Sequence, residues 1–211
     1  MDIPVVSQRG VVHIVDDDTA VLEGLGSLVR SVGNEARLYN STSEFLGTSL
    51  PSSPSCLLLD IRLPGVSGLD FQDSLAEHGI QIPVILMTGH GDIQMSVRGM
   101  KAGAVDFLTK PFRHQDVLDA VSTALTKDRE RRLEDATLQP IRDRYETLTA
   151  RERQVVELVT AGKMNKQVAG DLSLSEITVK IHRGVAMKKM RARSLAELVK
   201  MTEALKSAAP E

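Results

Sequence analysis

The strongest constraint on this chain is a set of four short apolar runs, each ending at a residue capable of chemistry. Val11-Val12-His13-Ile14-Val15 stops at Asp16-Asp17-Asp18, Cys56-Leu57-Leu58-Leu59 at Asp60, and Val84-Ile85-Leu86-Met87 at Thr88. Val105-Asp106-Phe107-Leu108-Thr109 stops at Lys110-Pro111. Runs of this length without polar alternation read as strands buried on both faces, as in a parallel sheet. Amphipathic stretches separate them; Val21, Leu22, Leu25, Leu28 and Val29, for example, recur at helical spacing. A weaker strand at 35–38 and a helix from about Ser43 complete five β-α units. The expected fold of residues 1–126 is an α/β doubly wound, five-stranded parallel sheet of order 2-1-3-4-5.

The pattern then changes twice. Eight of the nine residues from Lys127 to Asp135 are charged, which reads as a solvated helical extension. Pro140 interrupts it and suits the first turn of a new helix. Residues 127–147 are taken as a charged linker. From Leu148 the spacing is wholly helical, and 148–211 reads as an all-α domain of four helices. Thr149-Ala150-Arg151-Glu152 fits a capping box, 165–172 a short second helix, and 176–190 a third after Ser173-Leu174-Ser175. Ser194 to Leu205 forms the fourth. Two helices joined by a tight polar turn are a helix-turn-helix pattern.

The formal net charge of −2 conceals this division, because residues 1–126 carry −7 and residues 148–211 carry +5. An acidic front and a basic back imply different partners, the second a polyanion. One cysteine, Cys56, excludes an intrachain disulfide and reads as buried structure. No apolar stretch is long enough to span a membrane, and the opening residues do not resemble a secretory leader, so a cytoplasmic location is expected.

Function in an open parallel sheet collects beyond the carboxyl ends of its strands. The order 2-1-3-4-5 brings Asp16, Asp17 and Asp60 into one pocket, with Thr88 and Lys110 beside it. Clustered carboxylates repel unless a cation intervenes, and an incomplete shell of hard oxygens suits Mg2+ (or Mn2+). The implied chemistry is phosphoryl transfer to Asp60, with Lys110 supplying positive charge and Thr88 a hydrogen bond. In the basic part, Asn165 and Lys166 open the second helix. The third carries Thr178, Val179, Lys180, His182 and Arg183, then Lys188 and Lys189. The first group is placed to meet base edges and the later lysines phosphates.

The motifs Val-Asp-Asp-Asp, Leu-Asp-Ile-Arg-Leu-Pro-Gly-Val-Ser-Gly, Met-Thr-Gly-His-Gly-Asp and Phe-Leu-Thr-Lys-Pro-Phe make residues 11–126 resemble a two-component receiver domain. The resemblance implies that Asp60 is the phosphoacceptor and that Asp16, Asp17, Asp60 and the Arg62 backbone carbonyl hold the metal. It also implies that Thr88 and Phe107 form the switch and that Lys110-Pro111 is cis. Leu148-Thr149-Ala150-Arg151-Glu152, Ala161-Gly162-Lys163-Met164-Asn165-Lys166-Gln167-Val168-Ala169 and Thr178-Val179-Lys180-Ile181-His182-Arg183 resemble a LuxR-type DNA-binding domain. Together they resemble the FixJ/NarL class of response regulators, closest to its FixJ branch.

That class implies a transcription factor controlled by a sensor histidine kinase, with promoter DNA and RNA polymerase as partners. It also implies a homodimer on phosphorylation, through a face including Ile93, Val97, Arg98, Lys101 and Asp106. The chain is not expected to be a turnover enzyme; only self-directed phosphoryl transfer and its reversal are expected. Alternatives are a phosphorylation-independent DNA-binding regulator and an aspartyl-phosphate phosphohydrolase. Gly170 and Gly184 depart from the helical pattern, since glycine costs up to about 1 kcal/mol against alanine inside a helix.

Overall fold

The computed structural model describes residues 9–89 and 93–207, apart from the side chains of Ile93, Gln94 and Ser96. The chain forms two compact units, residues 1–132 and 133–211. In the first, β1 (Val11–Val15), β2 (Glu35–Tyr39), β3 (Ser55–Asp60), β4 (Val84–Thr88) and β5 (Asp106–Thr109) form one parallel sheet. Its order is β2-β1-β3-β4-β5, as the sequence led us to expect. Every residue of β1, β3 and β4 is buried, which explains their uninterrupted apolar runs. The helices α1 (Thr19–Ser31), α2 (Thr42–Leu46), α3 (Gly68–Ser74), α4 (Ile93–Lys101) and α5 (His114–Glu146) complete the doubly wound pattern.

Alternate residues of each strand feed the two sides of the sheet. Val12, Ile14, Leu58, Ile85 and Met87 pack with Leu22, Leu25, Val117 and Val121 of α1 and α5. Val15, Leu57, Leu59, Val84 and Leu86 pack on the other side with Phe45, Leu69 and Phe71 of α2 and α3. His13, fully buried on β1, bonds the Tyr39 hydroxyl through Nδ1 at 2.9 Å and lies against the edge of Phe45. Burial first, then the charge of Arg37, lowers its pKa to about 4.

This has a consequence for acid stability. Unfolded His13 takes up a proton near pH 6.5, while the folded ring refuses it until about pH 4. The unfolded state thus binds more protons across that window, so stability falls as pH falls, by about 3 kcal/mol in all. As pH falls from 7 to 4, the urea midpoint of the wild-type receiver unit is expected to fall relative to that of His13→Phe, which lacks the titrating ring. Parallel curves would refute the assignment.

Two readings of the charged segment need correction. Asp128 is not solvated but fully buried. Its Oδ2 accepts the Ser55 backbone N–H at 2.8 Å, while Arg131 and Arg132 pair with the carboxylate at 2.6 and 2.5 Å. Pro140 does not start a helix, because α5 passes through it; the proline lies inside the helix, where it cannot donate the usual backbone hydrogen bond.

In the second unit, α6 (Ala150–Thr160), α7 (Asn165–Leu172), α8 (Glu176–Met190) and α9 (Leu195–Ser207) surround a small aliphatic core. Val155, Val156, Val159, Val168, Val179, Ala186, Met190 and Leu198 lie at its centre. The capping box forms: Thr149 Oγ1 accepts the Glu152 N–H, and Glu152 Oε2 accepts the Thr149 N–H. Ser173 ends α7 in the left-handed region and Ser175 caps α8, completing the tight turn of a helix-turn-helix.

Candidate functional site

The carboxyl ends of β1 and β3 lie side by side, with Val15 opposite Leu59, so Asp16 and Asp60 emerge at one level. One carboxylate oxygen from each of Asp16, Asp17 and Asp60 lies within 4.8 Å of the others. Lys110, just beyond β5, reaches across the pocket, its Nζ 2.6 Å from Asp16 and 2.8 Å from Asp60. Its backbone N–H donates to the Thr88 carbonyl at the end of β4, and the Lys110–Pro111 bond is cis. Asp16, Asp17, Asp60 and Lys110 therefore meet at the carboxyl end of the sheet, and Thr88 ends the adjoining strand beside Lys110; Thr88 and Asp16 are buried and Asp17 exposed.

The electrostatics follow from this geometry. Burial pushes the Asp16 carboxyl above its ordinary pKa, outweighing the hydrogen bonds from Lys110 and the Asp18 N–H. Burial pulls Lys110 the other way, but its bonds to Asp16 and Asp60 prevail and raise it above the usual lysine value. Three carboxylates against one ammonium leave about two negative charges, which fits a divalent, oxygen-seeking cation. Asp16, Asp17 and Asp60 would hold it. The Arg62 backbone stands at the same rim, its N–H donating to Asp60 Oδ1 at 3.1 Å.

Gly68, which opens α3, had no assigned role in the sequence reading. A Cβ there would stand 2.2 Å from the Asp60 carbonyl oxygen, so only glycine lets α3 approach the end of β3. Its N–H donates to the Ile61 carbonyl, closing the loop around the site. The third acid of the opening motif, Asp18, caps α1 instead of facing the pocket.

Phe107 is half-buried on β5, packed on the cluster beneath α3. Val97, Arg98, Lys101 and Asp106 are exposed. Arg98 turns towards α3 and pairs with Asp70 and Asp73. The side chain of Ile93 lies outside the described residues, as do His90, Gly91 and Asp92.

Only some of the expected DNA-contact residues are free to reach a duplex. Val179 is fully buried in the core, so it cannot touch a base; the helical phase it shares with Ala186 and Met190 was the available warning. Lys189 bonds Glu152 at 2.6 Å and the Thr147 carbonyl at 3.0 Å, fastening α8 to the start of α6. That pairing also holds the Glu152 carboxyl below its usual pKa. Thr178 is half-buried in the α8 cap, and Arg183 bonds Asn165 across the two helices at 3.3 Å. His182 is half-buried, while Lys166, Lys180 and Lys188 are exposed. The sequence reading missed Ile177 and Ile181, which stand outside on α8.

An acidic pocket at the carboxyl end of a doubly wound parallel sheet, followed by a helix-turn-helix, is the arrangement of a DNA-binding response regulator. Residues 12–122 match the family described as response regulator receiver domain, and 146–202 match bacterial regulatory proteins of the luxR family. Nodulation protein W of Bradyrhizobium diazoefficiens is 54% identical over 94% of this chain and 88% of its own length. Response regulator protein TmoT of Ectopseudomonas mendocina is 48% identical over 94% and 90%. Transcriptional regulatory protein FixJ of Azorhizobium caulinodans is 40% identical over 90% of each chain. The solved response regulator StyR superposes with a TM-score of 0.73 at 45% identity, covering 92% of this chain and 98% of that one.

The chain therefore belongs to the FixJ/NarL class of two-component response regulators and is a DNA-binding transcription regulator. Its receiver implies a sensor kinase as partner. Among the described residues, no helix is long and apolar enough to cross a membrane.

Proposed function

We propose that Asp60 accepts a phosphoryl group from a histidine kinase and that this controls dimerisation and promoter binding. The observation carrying the reading is the convergence of Asp16, Asp17 and Asp60 within 4.8 Å, with Lys110 bonded to two of them. A carboxylate oxygen of Asp60 attacks phosphorus while the P–N bond of the kinase phosphohistidine breaks. The electron pair stays on the imidazole, and Asp60 becomes an acyl phosphate. Lys110 stabilises charge on the phosphoryl oxygens, and Thr88 hydrogen-bonds one of them. Magnesium, when bound, would neutralise further charge on the group in transfer.

The switch formed by buried Thr88 and half-buried Phe107 then biases the face of α4 and β5. Val97, Arg98, Lys101 and Asp106 on that face, with Ile93, pair two receivers. Two copies of the basic unit reach adjacent half-sites, joined through the segment at 127–147, and gain affinity by effective concentration. Lys166, Lys180 and Lys188 contact the duplex, His182, Arg183, Thr178 and Asn165 support them, and recruitment of RNA polymerase makes the protein an activator in the cytoplasm.

The test is a genomic footprint of the full chain with and without acetyl phosphate and Mg2+. Occupancy is expected to rise on phosphorylation, at sites that weaken steeply with salt. Equal occupancy in both states would sink this reading and favour a receiver that serves only as a scaffold.

A further inference from the structure

The outward ridge of α8 is apolar where a basic one was anticipated. Val179, Ala186 and Met190 face the core. Ile177, Ile181, Gly184 and Lys188, spaced by four, three and four residues, run along the opposite side. Ile177 is 73% exposed, Ile181 60%, and Val185 beside them 40%. Single exposed aliphatics are ordinary, but three on one helix face, flanked by Lys180 and Lys188, form a patch.

Gly184 lies in the middle of this ridge. A Cβ there would meet nothing within 4 Å, so no packing within the protein requires the glycine, although it weakens the helix. Gly24 of α1 is equally open, so openness alone does not single Gly184 out. Its position does, between Ile181 and Lys188 on the line farthest from the core.

The major-groove edge of a duplex offers one apolar group, the 5-methyl of thymine, lined on both sides by phosphates. An aliphatic ridge bordered by lysines is complementary to that arrangement. We infer that α8 selects its sites by packing Ile177 and Ile181 on thymine methyls, and that Gly184 lets the helix backbone approach the groove. This rests on the reading that α8 is the element entering DNA.

A randomised duplex pool, enriched on the full chain in acetyl phosphate and Mg2+, supplies the sites. Each enriched duplex is resynthesised with deoxyuridine replacing single thymidines, which removes only the methyl. At one or two thymidines of each half-site, the change is expected to weaken binding about fourfold. Ile181→Ala or Ile177→Ala binds more weakly and loses that sensitivity at its own thymidine, as a protein-by-base cycle requires. Gly184→Ala raises the thermal midpoint of the C-terminal unit yet weakens binding to every enriched duplex several-fold. Gly24→Ala leaves binding unchanged.

Indifference to deoxyuridine at every thymidine would overturn the inference and leave the ridge to a protein partner. Undiminished binding by Gly184→Ala would overturn the close approach. If Lys180→Ala with Lys188→Ala also left binding intact, or no sequence were enriched, the placement of α8 in the groove would itself fail.

Discussion

Asp60→Asn is expected to abolish labelling by acetyl phosphate and every phosphorylation-dependent gain in DNA binding. The reason lies in how the three acids are employed. Asp16 is fully buried, with one oxygen accepting the Asp18 N–H and the other held by Lys110. Asp17 is exposed and stands at the rim. Asp60 ends the central strand, retains slight exposure, and has Lys110 on the oxygen opposite the one that accepts the Arg62 N–H. On the proposed reading it is therefore the acid that attacks, with Lys110 beside it to stabilise the entering group.

An amide of the same shape still accepts the Arg62 N–H but offers no carboxylate nucleophile. The fold should therefore survive while labelling falls by about two orders of magnitude or more, the scale of losing a nucleophile. Radiolabel uptake and footprinting on the same preparation check both halves. Labelling of Asp60→Asn at the wild-type rate would place the chemistry elsewhere in the cluster.

Why this pocket could be read from sequence, while the DNA-facing ridge could not, is a matter of chemistry. A parallel strand buried on both faces needs an unbroken apolar run, so the point where Val15 gives way to Asp16 marks the sheet edge. Once the strand order is set, the acids must meet. On α8, apolar residues occur on every side, and type alone does not separate buried Val179 from exposed Ile181. Helical phase separates them: Val179, Ala186 and Met190 share a line that Ile177 and Ile181 do not. Lys189 looked like its neighbour Lys188, and only the nearby Glu152 carboxylate shows that it is already engaged. Asp128 was hidden for a similar reason, since a run of charges reads as solvated whatever lies beneath one of them.

Asp128→Ala is accordingly expected to be among the most damaging single changes in the receiver. The wild-type carboxylate is fully buried at the start of β3, 2.8 Å from the Ser55 N–H and paired with both Arg131 and Arg132. Arg132 also donates to the carbonyls of Ser52 and Pro51, so helix and loop are joined through one acid. Truncation leaves the buried Ser55 N–H without its acceptor and removes the counter-charge of two guanidiniums. Losing one partner of a fully buried pair costs roughly 3–5 kcal/mol. Arg131 and Arg132 keep about a third of their side-chain surface in water, so they rehydrate in part. The expected loss is therefore about 2–4 kcal/mol, a fall of roughly 10 °C in the receiver midpoint. Asp128→Asn, which keeps an acceptor for Ser55 but not the charge, should lose about half as much. Hydrogen exchange localises the effect: the Ser55 amide should lose protection in Asp128→Ala and keep most of it in Asp128→Asn. Should both variants melt with the wild type, the buried acid would contribute nothing net, its desolvation cancelling its bonds.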